Sequence, residues 1–337
     1  MVGTADILRA MNDFTSRLDS LFERFERVRS QHPGPVPWSV RFTGDAHSTS
    51  MVFSSIIHGN EVGPLEGLVE ACEALAAGEI EFGGTVTLFL GNPDAARQDT
   101  RFLESDLNRV FLDDAGDTLE ERRAKELMPL LDQADVYFDF HQTLRPVKQP
   151  FYIFPWSEES EQWVRAMRGA KVWVTRNPAQ AFSPGMMCAD EYVRTRGVPG
   201  VTLELGEQGW NAEAAGTTRR VIGEALALAD GIAAGSTTLA AAAAGLPPVA
   251  LWETVFRQTY DDPAMALRDD LVNFHPVTEG ELLSKEGTPE LRAPRDGAVL
   301  FPKFPPRDEA GRALDPRPSE IYRLVAPVDG DPKVLWG

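Results

Sequence analysis

The stretch SMVFSSIIHGNE, residues 50–61, joins an apolar segment to a histidine and a glutamate within one short run. Its β-branched and aromatic residues predict a strand over 50–58, and a helical pattern of apolar residues follows over 61–77. Polar side chains are therefore expected where a strand ends and a helix begins. In sheets built from alternating strands and helices, reactive groups collect at that edge.

Outward from this stretch, strands alternate with helices. Further strands are predicted over 38–44, 85–92, 136–141 and 201–206. Further helices are predicted over 4–30, 118–132 and 157–169. This alternation predicts an α/β fold with helices on the faces of the sheet.

The composition changes after about residue 235, where an alanine-rich helix end meets a Gly and Pro stop. We place a domain boundary near Leu246, which gives an α/β domain over 1–246 and a smaller β-rich domain over 247–337. The closing stretch from Arg307 is rich in Pro, Asp and Arg, and it is expected to be an extended or poorly ordered tail over the surface.

Charge and composition narrow the function classes. The 337 residues carry 33 Lys and Arg against 51 Asp and Glu, a net charge of −18, which repels nucleic acid and anionic membrane surfaces. Two distant cysteines encode no disulfide framework, and charges at Asp6 and Arg9 interrupt any apolar secretory segment. We expect a soluble, cytoplasmic protein without a nucleic-acid or membrane partner. The sequence does not indicate an oligomeric state.

His58 and Glu61 form an H-x-x-E pattern at the end of the first quoted strand. Imidazole and carboxylate are zinc ligands, and a catalytic zinc needs three protein ligands and one open position. His141 is the best third candidate because it also ends an apolar strand, beside Asp139 and Gln142. The alternative is structural: His58 would cap a strand, and Glu61 would place negative charge at a helix N-terminus.

A second polar stretch, TRFLESDLNRVF over 100–111, brings Arg101, Asn108 and Arg109 together. Guanidinium groups beside a metal can hold substrate carboxylates or face a developing oxyanion. The alternative is an exposed, charge-rich loop.

Glu204 lies inside the apolar strand VTLELG, where partial burial would raise its pKa towards neutrality, as a general base requires. Arg145 and Arg194 are further basic residues near these elements. Each alone is most often a surface residue.

Read in order, HGNE, GNP with TRFLESDLNRVF, DFHQT and LELG resemble the succinylglutamate desuccinylase and aspartoacylase family. These are zinc amidohydrolases related to the metallocarboxypeptidases, so the resemblance implies a mixed sheet flanked by helices, of zinc carboxypeptidase type. The stretches over 269–287 and 297–305 are similar to the β-rich tail of the desuccinylases, and the likeness is greater to that branch.

The resemblance implies a role for each matching residue. One zinc ion per subunit would be held by His58, Glu61 and His141, with Glu204 as catalytic base and Arg101 polarising the scissile carbonyl. Asn108 and Arg109 would bind a substrate carboxylate. Arg145 resembles an arginine of the desuccinylases, whereas Arg194 matches a carboxylate-binding arginine of the aspartoacylases.

The expected activity is hydrolysis of N-succinylglutamate to succinate and glutamate, a step of arginine catabolism. N-acetylaspartate or another small anionic N-acyl amino acid is the alternative substrate. A zinc fold kept as a non-catalytic binding protein is the alternative class. Departures from the family pattern after His141 and Glu204 bear on substrate identity, because residues there are expected to line the pocket.

Overall fold

The computed structural model describes residues 4–177, 182–183, 185–315 and 317–336. The strands are β1 (Ser39–Thr43), β2 (Ser50–Ser55), β3 (Thr85–Leu90), β4 (Val136–Thr143), β5 (Phe151–Ile153), β6 (Val172–Thr175), β7 (Gly200–Glu207), β8 (Ala250–Thr259), β9 (His275–Val277), β10 (Gly297–Leu300) and β11 (Glu320–Pro327). The helices are α1 (Thr4–Gln31), α2 (Leu65–Ala76), α3 (Pro93–Arg97), α4 (Leu119–Leu131), α5 (Glu158–Met167), α6 (Ala189–Arg194), α7 (Ala212–Ala233), α8 (Leu239–Ala243) and α9 (Pro332–Trp336).

One mixed sheet runs through all eleven strands in the order β1-β3-β2-β4-β7-β5-β6-β8-β11-β10-β9. Strands β3, β2, β4 and β7 are mutually parallel, and β5 joins β7 in the antiparallel sense. Because the parallel strands share a direction, their carboxyl ends meet at one edge of the sheet. The predicted mixed α/β fold is confirmed.

Helices cover both faces of the parallel part of the sheet. On one face Phe138 packs in a core with residues of α1, α2, α5 and α7, and on the other Tyr137 packs with residues of α4 and α6. Adjacent residues of a strand point to opposite faces, which is why these two aromatic neighbours serve different cores. Each fully buried side chain of this size contributes about 1.5–3 kcal/mol.

The strand predicted over 50–58 ends at Ser55 because Ile56 has a φ of 49°. An extended strand does not tolerate this left-handed conformation, and it is rare for a β-branched residue. The chain therefore leaves the sheet three residues before the predicted end. The helix predicted from 61 begins only at Leu65, after Pro64.

The region after residue 246 is continuous with the sheet, since β8 pairs with β6 in parallel register. A shared core, with Phe151 and Val174 on one side and Leu300 and Val325 on the other, joins the two parts. The predicted tail from Arg307 is wrong in its second half. Strand β11 lies between β8 and β10 with five consecutive side chains buried, because its apolar residues Ile321, Tyr322, Leu324 and Val325 outweigh the Pro-rich segment before it.

Across the described ranges, no helix combines the length and the apolar character needed to cross a bilayer.

Candidate active site

Three predicted site residues meet at the carboxyl edge of adjacent parallel strands. His58 lies three residues beyond the end of β2, and His141 lies near the end of β4. Glu204, on β7, is the register partner of His141, so the two side chains share one face of the sheet. The sheet therefore brings together residues that are far apart in the sequence.

His58, Glu61 and His141 form a buried cluster. The Glu61 carboxylate bridges the imidazoles, with Oε1 2.8 Å from His58 Nδ1 and Oε2 2.8 Å from His141 Nδ1. One ligand atom from each residue lies within 4.8 Å of the others, and the set could hold a metal ion. Burial alone would raise the pKa of Glu61, but the two imidazoles outweigh it and hold that pKa below its ordinary value.

The outer nitrogen of each imidazole has a carboxylate partner. His58 Nε2 lies 3.1 Å from Asp106 Oδ1, and His141 Nε2 lies 2.8 Å from Asp139 Oδ2. Ser54 Oγ donates to the other oxygen of Asp139 at 2.6 Å. Carboxylates placed in this way orient a metal-binding imidazole and raise its basicity. Sequence reasoning did not assign this role, although the two-residue spacing of Asp139 and His141 on one strand was a readable signal.

Glu204 is buried beside this cluster, and its Oε2 has no hydrogen-bond partner within the part of the chain that the structure describes. Burial and the neighbouring charge of Glu61 raise the pKa of Glu204 to about 7. An unpaired buried carboxylate oxygen requires a reason, because burial without a partner is unfavourable. A group held at the His58–Glu61–His141 cluster would supply that partner, so the donor set fits a metal.

Arg101 extends over the cluster. Its Nε donates to Asp106 Oδ2 at 3.0 Å, and its Nη1 donates to Glu61 Oε1 at 3.3 Å. The side chain of Arg101 is 39% exposed, so it can also meet a ligand. This arrangement places a guanidinium against the candidate metal ligands, and the predicted role of Arg101 at the scissile carbonyl stays a prediction.

Asn108 and Arg109 follow on a short 3₁₀ turn. Asn108 is buried and accepts the backbone N–H of Ala189 at 2.9 Å. Arg109 Nη1 donates to the Asn108 carbonyl at 2.6 Å and lies 3.5 Å from Cys188 Sγ. These contacts attach the turn to α6, so the alternative of a freely exposed charged loop is wrong here.

A buried carboxylate organises the same loop. Glu120 accepts the backbone N–H groups of Leu103, Glu104 and Ser105 at 2.7–3.1 Å, and Asn92 Nδ2 at 3.0 Å. Hydrogen bonds to a charged group are stronger than neutral ones. Glu120 therefore fixes the loop that carries Arg101 against the sheet.

The structure places Arg145 and Arg194 in other contacts. Arg145 Nη2 donates to the Asp269 carbonyl at 2.8 Å, and its guanidinium lies over the Phe304 ring. Arg194 Nη1 donates to Asp190 Oδ2 at 2.8 Å, and Arg194 lines a separate cavity of about 540 Å³. No contact joins either residue to the His58–Glu61–His141 cluster within the described chain, so their substrate roles stay predictions.

Known proteins resemble this chain in sequence. The succinylglutamate desuccinylase/aspartoacylase catalytic-domain model matches residues 48–229. The curated succinylglutamate desuccinylase of Pseudomonas paraeruginosa is 28% identical over 273 residues, covering 76% of this chain and 80% of that protein.

Solved structures share the fold. The succinylglutamate desuccinylase of Vibrio parahaemolyticus has a TM-score of 0.65 at 18% identity, over 86% of each chain. The product-bound ectoine utilization protein EutE (DoeB) of Ruegeria pomeroyi has a TM-score of 0.61 at 21% identity, covering 85% of this chain and 88% of that one.

Proposed function

The chain belongs to the succinylglutamate desuccinylase/aspartoacylase family, and from this premise we propose that it is a zinc-dependent hydrolase of N-acyl amino acids. The observation that carries the proposal is the buried, unpaired Oε2 of Glu204 beside the His58–Glu61–His141 cluster. A carboxylate held in that state beside three potential metal ligands is suited to proton transfer.

We propose that His58, Glu61 and His141 hold one Zn²⁺ per subunit. Three protein ligands leave a position open for water or substrate, as catalytic zinc requires. A bound zinc ion supplies a Lewis acid and makes water acidic enough to attack near neutral pH. Asp106 and Asp139 keep the two imidazoles oriented towards it.

Glu204 accepts the proton of the attacking water and returns it to the departing amino nitrogen as the amide bond breaks. A pKa of about 7 suits both steps, because a group that titrates near the working pH can accept and release a proton. Arg101 faces the oxygen of the scissile carbonyl and stabilises the charge that develops there.

Asn108 and Arg109 bind a substrate carboxylate, as the resemblance implies. N-succinylglutamate, with three carboxylates, is the leading substrate, and N-acetylaspartate is the second candidate. The proposal includes a cytoplasmic role in arginine breakdown, which the two free, buried cysteines suit.

The test is amine release by zinc-loaded protein from N-succinylglutamate and from N-acetylaspartate, with a chelator-treated sample as control. We expect chelator-sensitive release that is faster from the succinyl compound. Faster release from the acetyl compound would replace the leading substrate with the second. Bound zinc without turnover of either compound would overturn the hydrolase and favour a non-catalytic binding protein.

A further inference from the structure

A series of hydrogen bonds runs from the candidate metal ligand His141 into the interior of the protein. His141 Nε2 lies 2.8 Å from Asp139 Oδ2, and Ser54 Oγ donates to Asp139 Oδ1 at 2.6 Å. Ser54 Oγ also lies 2.6 Å from the hydroxyl oxygen of Tyr137. These four residues are at most 2% exposed, so water does not compete for their hydrogen bonds.

Two neighbouring strands place these groups on one face of the sheet. Tyr137, Asp139 and His141 alternate along β4, and alternate residues of a strand point to the same face. Ser54 on β2 is the parallel register partner of Asp139. The ring of Tyr137 also stacks on Phe89, with 6.3 Å between the ring centres. Sheet register and aromatic packing therefore fix the order of the groups.

The direction of each hydrogen bond follows from what its two groups can donate. A carboxylate only accepts, so the single proton of the Ser54 hydroxyl goes to Asp139. Ser54 Oγ keeps its lone pairs, and the Tyr137 hydroxyl donates to one of them. Burial and then the charge of Asp139 raise the pKa of Tyr137 well above its ordinary value, so its hydroxyl keeps the proton and stays a donor.

Asp139 depends on these donors because its surroundings offer few others. Its side chain is fully buried, and no arginine or lysine of the described ranges lies within 4 Å of its carboxylate. A buried carboxylate without hydrogen bonds is strongly unfavourable. Linked hydrogen bonds polarise one another, so the Tyr137 hydroxyl strengthens the bond from Ser54 to Asp139. The two hydroxyl groups therefore favour an Asp139 that accepts the ring N–H of His141.

The nitrogen of His141 that carries the proton decides which nitrogen can bind a metal ion. With Asp139 accepting from Nε2–H, the lone pair of His141 lies on Nδ1, the atom 2.8 Å from Glu61 Oε2. We propose that Ser54 and Tyr137 are positioning residues of the metal site, which keep Asp139 bonded to His141 Nε2–H and so present Nδ1 to the ion. This inference rests on the proposed zinc site and deepens it.

Zinc affinity tests the proposal in Tyr137→Phe and Ser54→Ala. Tyr137→Phe removes one hydroxyl and keeps the ring, so zinc affinity should fall by about 3- to 10-fold, as expected for the loss of one hydrogen bond. Ser54→Ala removes the direct donor to Asp139 and should lower the affinity at least as much. Competition with a chromogenic chelator measures the affinity. Wild-type affinity in both variants would overturn the proposal.

Tyr192→Phe is the matched control for Tyr137→Phe. Tyr192 packs in the same core as Tyr137, but its hydroxyl donates to Asp132 at 2.9 Å, outside the hydrogen bonds that lead to His141. The control should leave zinc affinity unchanged. An equal loss of affinity in Tyr192→Phe and Tyr137→Phe would overturn the proposal, because the loss would then come from the core in general.

A double-mutant cycle distinguishes positioning from general support of the fold. If Tyr137 acts through Asp139, Tyr137→Phe should have almost no further effect on zinc affinity in an Asp139→Asn protein. Losses of equal size with Asp139 and with Asn at this position would overturn the proposal. The proton resonance of the His141 ring N–H, observed with isotope-labelled histidine in the zinc-loaded protein, is a second readout. It should move upfield in Tyr137→Phe and stay in place in Tyr192→Phe.

Zinc binding and hydrolysis are measured separately, so this inference and the proposed function can fail separately. If zinc binds and the coupling to Asp139 holds while neither N-acyl amino acid is hydrolysed, the hydrolase fails and the positioning role stands. If hydrolysis requires zinc while Tyr137→Phe and Ser54→Ala bind zinc like the wild type, the positioning role fails and the hydrolase stands. A wild type without measurable zinc binding would overturn both.

Discussion

Two regions of the molecule handle charge in opposite ways. At the carboxyl edge of β2, β4 and β7, the ionisable groups are matched to partners, and the exception is one oxygen of Glu204. Around Phe182, arginine side chains from separate segments meet, and two of them, Arg176 and Arg323, are ion-paired with Glu191 and Glu320. The first region could hold a metal ion beside a buried carboxylate, whereas the second region concentrates arginines around one aromatic ring.

The largest effect is expected at Glu204, whose Oε2 has no hydrogen-bond partner in the described chain. Glu204→Gln keeps the shape of the side chain but cannot accept a proton, so kcat should fall by about 10²- to 10⁴-fold while bound zinc is retained. Activity and metal content are measured on the same sample. Glu207→Gln, at an exposed position three residues along the same strand, is the control and should keep its activity. A Glu204→Gln protein with the wild-type rate would remove the proposed base.

The same substitution should stabilise the metal-free protein, with a definite pH dependence. The pKa of Glu204 is raised to about 7, so its contribution to stability is complete below its unfolded pKa and is lost as pH rises through about 7. Chelator-treated Glu204→Gln should therefore exceed the wild type in unfolding free energy at pH 8, by roughly 3 kcal/mol at most, and should match it near pH 4. Denaturant unfolding at both pH values tests this, and a gain that is equal at both would contradict it.

A smaller effect is expected at Asp139, the carboxylate that contacts the outer nitrogen of His141. Asp139→Asn weakens the partner of His141 Nε2, so zinc affinity should fall by about 10- to 100-fold. Competition with a chromogenic chelator measures the affinity. Asp135→Asn, at an exposed position before the same strand, should leave it unchanged. Equal affinities of the two variants would mean that Asp139 does not orient the ligand.

The smallest effect concerns the contact between the part of the chain before residue 246 and the β-rich region after it. Asn273 is buried, donates to the Arg145 carbonyl at 2.8 Å and accepts the Phe301 N–H at 2.9 Å. Asn273→Ala leaves the Phe301 N–H unpaired, while the Arg145 carbonyl still accepts Thr143 Oγ1 at 2.7 Å. The unpaired N–H should cost about 1–3 kcal/mol in unfolding free energy. Because the sheet is continuous through β6 and β8, unfolding should remain one transition. A separate early transition would mean that the region after residue 246 unfolds on its own.

Much of the first region was predictable from sequence because its signals are local. Apolar segments ending in His58 and His141 marked strand ends, and parallel strands then impose one shared edge. The exact end of β2 was not predictable. It depends on the left-handed φ of Ile56, a conformation that β-branched residues rarely adopt and that the sequence therefore does not indicate.

Outside the first region, several contacts could not be predicted from the sequence. Arg145 was predicted to bind substrate, but its partner, the Asp269 carbonyl, is 124 residues away and is recognisable only in the folded chain. Arg194 is paired with Asp190 four residues earlier on the same helix, a spacing that the sequence does show. The Pro-, Asp- and Arg-rich composition predicted a tail from Arg307, but the short apolar stretch within it forms the buried strand β11.

The pairing of His141 with Glu204 across β4 and β7 has a further consequence. Backbone hydrogen bonds fix the spacing between these side chains, and a slip of one residue would turn one of them to the opposite face. The two groups therefore cannot drift apart gradually as the protein loosens. Catalytic activity should act as a reporter of sheet integrity, vanishing in denaturant together with the global unfolding signal and not before it.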